Sequence, residues 1–364
     1  MEISYIEMFS GIGGFRLGLE KANQIGFKFR CVWANDIDKY ACQIYRKNFG
    51  GKELIEGDIR TIDPNTIPNH ELLTAGFPCQ SFSIAGKRRG FEDTRGTLFY
   101  EIARIASVKR PKLLLLENVK GLLSNDEGRT FAKILQTLDD LGYLVEWQTL
   151  NSKHFGVPQN RERVFIVGHL RGTGSRQIFP IGEACAEPLR TCKKTQREGK
   201  PLRVANTLSS RYYKDGSENL IQIGANPDSI VAVETAHTKA NMKEGRFSKV
   251  CHSLDDGKSK AVMIANTLDR DGYLRFGERS RDEHGKPQLL PIGYRKIRRL
   301  TPIECERLQG FPDKWTENGL TKEGSQTQIS DTQRYKLLGN AVTVNVVEFL
   351  GKRLKDRVFR ITDT

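Results

Sequence analysis

The chain has 364 residues and a formal net charge of +14, with 58 Lys and Arg against 44 Asp and Glu. That length suits two domains, or one domain with a large insertion. A hydrophobic share of 38%, with 34 Gly and 13 Pro, fits a packed globular chain rather than a disordered or collagen-like one. The longest aliphatic run, Leu113-Leu114-Leu115-Leu116, falls far short of the roughly 18 apolar residues that a membrane span needs. The start, Met1-Glu2-Ile3-Ser4-Tyr5, shows no export signal, so the cytoplasm is the expected location. Seven scattered cysteines without a C-x-x-C pair argue against a disulfide framework or a zinc site.

From Ile3 to about His169 short apolar runs alternate with stretches of helical spacing. Strands are expected at Ile3–Met8, Phe29–Ala34, Leu72–Ala75, Lys112–Leu116, Tyr143–Leu150 and Val164–Val167. Helices are expected at Phe15–Ala22, Tyr40–Asn48, Phe99–Ser107 and Thr130–Leu141. This rhythm predicts a doubly wound α/β sheet, in which ligands bind beyond the carboxyl ends of the strands. After about Arg171 the pattern gives way to short segments rich in Gly, Lys, Arg, Asn and Asp, with a boundary near 175–180. Val204-Ala205-Asn206-Thr207-Leu208 is echoed by Ile264-Ala265-Asn266-Thr267-Leu268, either a duplicated hairpin or a coincidence. Helical character returns at Thr301-Pro302-Ile303-Glu304, a capped helix start, and Val342–Leu354 is expected as a final amphipathic helix.

Charge is concentrated. Residues 151–215 carry 13 basic and 5 acidic side chains, and residues 270–300 carry 9 and 4. Such a surplus suits a polyanionic partner, most plausibly nucleic acid.

The first expected strand runs into Phe9-Ser10-Gly11-Ile12-Gly13-Gly14, where glycines allow a tight turn and close backbone approach before a helix. The second ends at Asn35-Asp36-Ile37-Asp38, whose acidic side chain suits a pair of ribose hydroxyls, and Gly57-Asp58-Ile59 adds a carboxylate. An adenosine-containing cofactor suits all three. The G-x-G-G pattern lacks the full dinucleotide fingerprint, which favours S-adenosylmethionine over NAD. Leu72–Ala75 leads to Phe77-Pro78-Cys79-Gln80, placing a thiol beyond a strand end, while Lys112–Leu116 leads to Glu117-Asn118-Val119, a carboxyl able to face it. Gln159, Arg161 and Arg163 alternate at strand spacing, so three donors are expected to aim at one crevice.

With these motifs in this order, the chain resembles the C5-cytosine-specific DNA methyltransferases. The resemblance covers residues 1–170 and 295–350 and includes Gly96-Thr97-Leu98-Phe99, Arg298-x-Leu300-Thr301-Pro302-x-Glu304, Leu308-Gln309-Gly310-Phe311-Pro312 and Gly339-Asn340-Ala341-Val342. It implies a Rossmann-like α/β S-adenosylmethionine-dependent methyltransferase fold with a smaller, irregular target-recognition domain. Residues 1–178 would form the catalytic domain and 179–294 the recognition domain. Residues 295–364 would end the recognition part and return helices to the catalytic one.

The resemblance also implies roles. Cys79 would add to cytosine C6, with Glu117 protonated on N3, Arg163 on the carbonyl O2 and Arg161 orienting Glu117 or its neighbours. Phe9, Gly11, Gly13, Gly14, Asp36, Ile37, Asp58, Ile59, Pro78, Leu98 and Asn340 would line the cofactor site. Position 37 holds Ile where many relatives offer a larger aromatic. Lys87, Arg88, Arg89 and Arg95 would clamp phosphates from a loop closing over a flipped base. Thr207, Arg211, Thr267 and Arg270 are candidate base readers, with Tyr212 and Tyr273 nearby. The partners implied are double-stranded DNA and, functionally, a cognate restriction endonuclease, the chain acting as a monomer. Three other readings stay open on the residues alone: an RNA cytosine methyltransferase, an NAD oxidoreductase and a catalytically silent DNA-binding relative.

Overall fold

Hydrophobic runs with no polar alternation must be covered on both faces, and in this protein they build the centre of a seven-stranded sheet. The computed structural model describes residues 1–78, 98–174, 177–181 and 300–358. It also gives the backbone of strands at 205–206, 220–223, 230–233, 264–268, 273–281 and 287–299. The strands of the first half are β1 (Glu2–Met8), β2 (Lys28–Asp36), β3 (Leu54–Glu56), β4 (Leu72–Gly76), β5 (Leu113–Val119), β6 (Tyr143–Asn151), a short β7 (Gln159–Asn160) and β8 (Glu162–Leu170). The large sheet runs β3-β2-β1-β4-β5-β8-β6. The pairings from β3 through β5 are parallel, and β8 lies antiparallel between β5 and β6.

The chain steps outward from β1 to β3, then returns to β4 on the other side of β1. The carboxyl ends of β1 and β4 therefore flank the switch point where a ligand crevice opens. Helices α1 (Gly14–Lys21), α2 (Lys39–Phe49), α3 (Leu98–Lys109) and α4 (Arg129–Asp140) accompany the strands. Leu113 and Leu115 join the core beneath α1, whereas Leu114 and Leu116 join the core that includes Phe99, Ile102 and Phe131 of α3 and α4. That division explains four consecutive leucines.

In the second half the strands are β9 (Ala205–Asn206), β10 (Leu220–Ile223), β11 (Ile230–Val233), β12 (Ile264–Leu268), β13 (Tyr273–Arg281) and β14 (Pro287–Arg299). Five of them form an antiparallel sheet in the order β11-β10-β14-β13-β12. The segment expected to be irregular thus contains regular strands. Their Gly, Arg and Lys content hides the apolar alternation that sequence reading relies on. The two Ala-Asn-Thr-Leu copies sit differently: Ala205-Asn206 pairs in parallel with β7, whereas Ile264–Leu268 pairs antiparallel with β13.

The chain returns through α5 (Pro302–Leu308), a hairpin of β15 (Asn318–Leu320) and β16 (Gln326–Gln328), α6 (Asp331–Asn340) and α7 (Val344–Arg357). The α5 start is the expected capping box, with Thr301 and Glu304 each capping the other's backbone N–H. The final helix begins two residues later than Val342. It lies close against α1: a Cβ added at Gly18 would come within 2.5 Å of Val347 Cβ, and one at Gly351 within 2.9 Å of Ala22 Cβ. Strand β3 was not legible in advance, because three residues carry no periodicity.

Candidate active site

Strand β1 ends in a strained turn. Phe9 adopts φ 55°, left-handed for a non-glycine residue, followed by Gly11 at 53° and Gly13 at 83°. Gly13 sits at the start of α1, and a side chain there would strike the Phe49 ring at 2.2 Å. At Gly14 it would strike Val342 Cγ1 at 2.7 Å. At Gly11, by contrast, an added Cβ meets nothing within 4 Å, so the turn leaves open space beside its backbone.

Asp36 braces this turn. One carboxylate oxygen accepts from Gly11 N at 2.7 Å and the other from Asp38 N at 2.8 Å, while burial pushes its pKa up. Neighbouring Ile37 is 68% exposed. The buried amide of Asn35 donates to Ile55 O and Gly57 O, both at 2.9 Å, and Gly57 N donates to Asp36 O at 2.9 Å. The loops bearing Asp36 and Asp58 are therefore one braced unit. Asp58 caps the helical turn Ile59–Thr61 and pairs with Arg60, which holds its carboxyl below the usual range; Ile59 is buried.

The other half of the crevice forms where β4 and β5 run side by side. Gly76 is in register with Glu117, and a Cβ added at Gly76 would lie 3.4 Å from Glu117 Oε2. The carboxyl thus lies in van der Waals reach of the end of β4. Asn118 Nδ2 donates to Phe77 O at 2.9 Å, and Phe77 packs on Phe99 with ring centroids 5.7 Å apart. The segment leading through the exposed Pro78 towards position 79 is thus pinned from two sides.

Glu117 is buried, and its partner is Arg163, with Nε 3.1 Å from Oε1. Burial dominates, so its pKa is raised despite Arg163 and Arg161 nearby. A raised pKa favours the protonated form of this carboxyl, the form that can donate a hydrogen bond and act as an acid. Arg163, whose own pKa burial lowers, also donates from Nη1 to Glu162 O at 2.7 Å.

The three alternating donors do not converge. Gln159 Nε2 donates to Leu308 O at 2.8 Å. Arg161, fully buried with its pKa pushed down to about 9, donates from Nη2 to Gly339 O at 3.2 Å and Ala341 O at 2.8 Å. Among the described residues only Arg163 pairs with Glu117, and Arg161 acts on that carboxyl as a nearby charge. The expected common face is lost because β7 ends at Asn160 and β8 begins at Glu162, so Arg161 belongs to neither strand.

Arg161 instead secures the turn bearing the exposed Asn340. Gln309, which sequence reading quoted without a role, holds the same turn: its Nε2 donates to Leu338 O at 2.7 Å and its Oε1 accepts from Thr343 at 2.9 Å. Leu98 opens α3 and is half-buried. Cys79, Lys87, Arg88, Arg89, Arg95, Thr207, Arg211 and Arg270 lie outside the described residues; Thr267 falls in β12, with only its backbone described.

The doubly wound sheet thus carries a glycine turn and two carboxylates beyond β1, β2 and β3, and a buried Glu–Arg pair beside the end of β4, the arrangement of a nucleotide-cofactor enzyme with an acid group at its crevice. The chain belongs to the C-5 cytosine-specific DNA methylase family, which it matches over residues 3–356. Type II methyltransferase M.NlaX of Neisseria lactamica is 36% identical over 98% of both chains. Type II methyltransferase M.HpaII of Haemophilus parainfluenzae is 35% identical over 100% of this chain and 92% of its own. Among solved structures, a DNMT2 mutant from Spodoptera frugiperda aligns with a TM-score of 0.59 at 19% identity, covering 97% of this chain and 99% of its own. At that identity the likeness shows the fold. No helix among the described residues is long and apolar enough to cross a membrane.

Proposed function

We propose that this DNA cytosine-5-methyltransferase uses S-adenosylmethionine to methylate a cytosine flipped out of double-stranded DNA, through a covalent bond from Cys79 to C6. The observation that carries the reading is the buried Glu117, paired with Arg163 and lying against the end of β4, two residues from Pro78 and three from Cys79. Cytosine C5 is a poor nucleophile. Addition of the Cys79 thiolate to C6 moves electron density to C5, and Glu117 as a donor to N3 stabilises the charge that develops. Arg163, beside Glu117, meets the carbonyl O2, and its charge favours the thiolate. Loss of the C5 proton and expulsion of the thiolate then restore the aromatic ring.

The bound cofactor supplies a methyl group on a sulfonium, an electrophile for C5. Its fit is supported by the open space beside Gly11, by the Asp36 and Asp58 acceptors and by the buried Ser10 hydroxyl, which has no hydrogen-bond partner among the described residues. In this reading Phe9 and Ile37 flank the adenine, Asp36 takes the ribose, Asp58 the adenine amino group, and Asn340, with Pro78 and Leu98, the remaining walls. Lys87, Arg88, Arg89 and Arg95 hold phosphates, and residues 179–294 read the target, with Thr207, Arg211, Thr267 and Arg270 among the readers. The chain acts as a cytoplasmic monomer within a restriction-modification system or as a phage or orphan methylase.

Bisulfite sequencing of plasmid DNA from cells expressing the chain tests this. A single sequence motif with protected cytosines is expected. Protection no greater than that given by Cys79→Ser would overturn the assignment.

A further inference from the structure

The turn that carries Asp58 is held from both sides. From α3, Arg104 donates to Ile59 O at 3.0 Å and Ile62 O at 2.9 Å, fixing the backbone. From the solvent side, Arg60 grips the Asp58 carboxylate itself: its backbone N–H donates to Oδ1 at 3.0 Å, and its Nε lies 3.0 and 2.9 Å from the two oxygens, with Nη2 on Oδ2. This fork orients the carboxylate plane, which an isolated aspartate would leave free to rotate. Asp58 nevertheless remains about a quarter exposed, so part of its acceptor capacity is open to a ligand.

Building on the assignment of Asp58 to the purine amino group, we propose that Arg60 is the specificity-positioning residue of the cofactor site. By fixing Asp58 as an oriented acceptor, it makes the pocket select a 6-amino purine and reject a 6-oxo purine. The chemistry is asymmetric. An amino group donates into the held carboxylate, whereas a 6-oxo group sets oxygen against oxygen with no proton between them. Arg60 also keeps Asp58 ionised into acid, since its fork is the main cause lowering that pKa.

The test is calorimetric titration of the full chain with S-adenosylhomocysteine and with its 6-oxo analogue, S-inosylhomocysteine, which reads binding without turnover. The unmodified chain should prefer the adenosyl ligand. Arg60→Ala should shrink that preference by about two- to fivefold, the range an exposed ion pair supports, with Arg60→Lys intermediate. The acid limb of adenosyl binding should move up in pH for Arg60→Ala. A role confined to stabilising the turn would weaken both ligands alike and leave the acid limb in place. Asp58→Asn separates the two ideas. If it abolishes the preference while Arg60→Ala keeps it in full, the Arg60 proposal fails and the Asp58 reading stands. If Asp58→Asn keeps the preference, the Asp58 reading itself fails. Equal melting temperatures of the variants show that each is folded.

Discussion

Replacing Arg161 by methionine separates the two roles open to a buried guanidinium beside Glu117. In the structure its Nη2 donates to Gly339 O and Ala341 O at 3.2 and 2.8 Å. A hydrogen bond from a charged donor contributes about 1.5–3 kcal/mol, so losing two removes roughly 3–6 kcal/mol and leaves both carbonyls short of a donor. Methionine refunds part of this, because holding a cation in a fully buried place is itself costly. That cost is visible in the Arg161 pKa, pushed down to about 9 by burial and then by Arg163. A net loss of about 2–4 kcal/mol should appear in urea unfolding at constant slope. S-adenosylhomocysteine binding should weaken with it, since the turn that bears Asn340 loses its anchor. Lysine keeps the charge but not the fork, so Arg161→Lys should recover less than half of the loss. Near-complete recovery by lysine would refute the reasoning, because it would show that charge towards Glu117, and not the grip on the Gly339–Ala341 carbonyls, is what Arg161 provides.

Two further outcomes follow from buried features away from the crevice. Glu7 lies wholly buried in β1, accepting from Arg16 N and Tyr45 Oη, and burial pushes its pKa up to about 8 against the opposing charge of Arg16. Its folded pKa thus exceeds its unfolded value. Its contribution is fully present below about pH 4.5 and is lost as pH rises to about 8, amounting to a few kcal/mol. Glu7→Gln should flatten the difference in urea midpoint between pH 5 and pH 8, and parallel pH profiles for the two proteins would count against the raised pKa. At Gly18, alanine would ordinarily strengthen a helix by about 1 kcal/mol. Because its Cβ would meet Val347 Cβ at 2.5 Å and Val344 O at 2.9 Å, Gly18→Ala should instead destabilise by about 1–3 kcal/mol in thermal melts. A stabilised variant would show that α1 and α7 are not in close contact.

How far the sequence carries depends on whether a feature is local. The six early strands and four helices were legible because Leu113–Leu116, Thr130–Leu141 and their like carry their own periodicity, and the Thr301–Glu304 cap is a four-residue signal. The ends of the strands that lead to Asp36 and Glu117 were legible too, whereas Asp58 follows β3, which was not, and stood out only as a carboxylate in a Gly-Asp-Ile loop. Pairing across the sheet was not. Nothing local announces that Gly76 lies in register with Glu117, or that Asn118 ties down Phe77. The grip of Arg161 was hidden for the same reason: the carbonyls that engage it are 178 and 180 positions away, beyond the recognition segment. Gln309 reads in sequence as one polar residue in a helix end, and only its contacts with Leu338 and Thr343 reveal a clasp.

In the proposed reaction the thiol beyond β4 attacks cytosine beside Glu117. Incubating the chain and cofactor with duplex DNA that carries 5-fluorocytosine at the methylated position measures this directly, because fluorine blocks the final elimination and preserves the adduct. Peptide mapping should find the nucleotide on Cys79 and no adduct with Cys79→Ser. A stable adduct on Cys31, Cys192 or Cys305, or undiminished trapping by Cys79→Ser, would contradict the account.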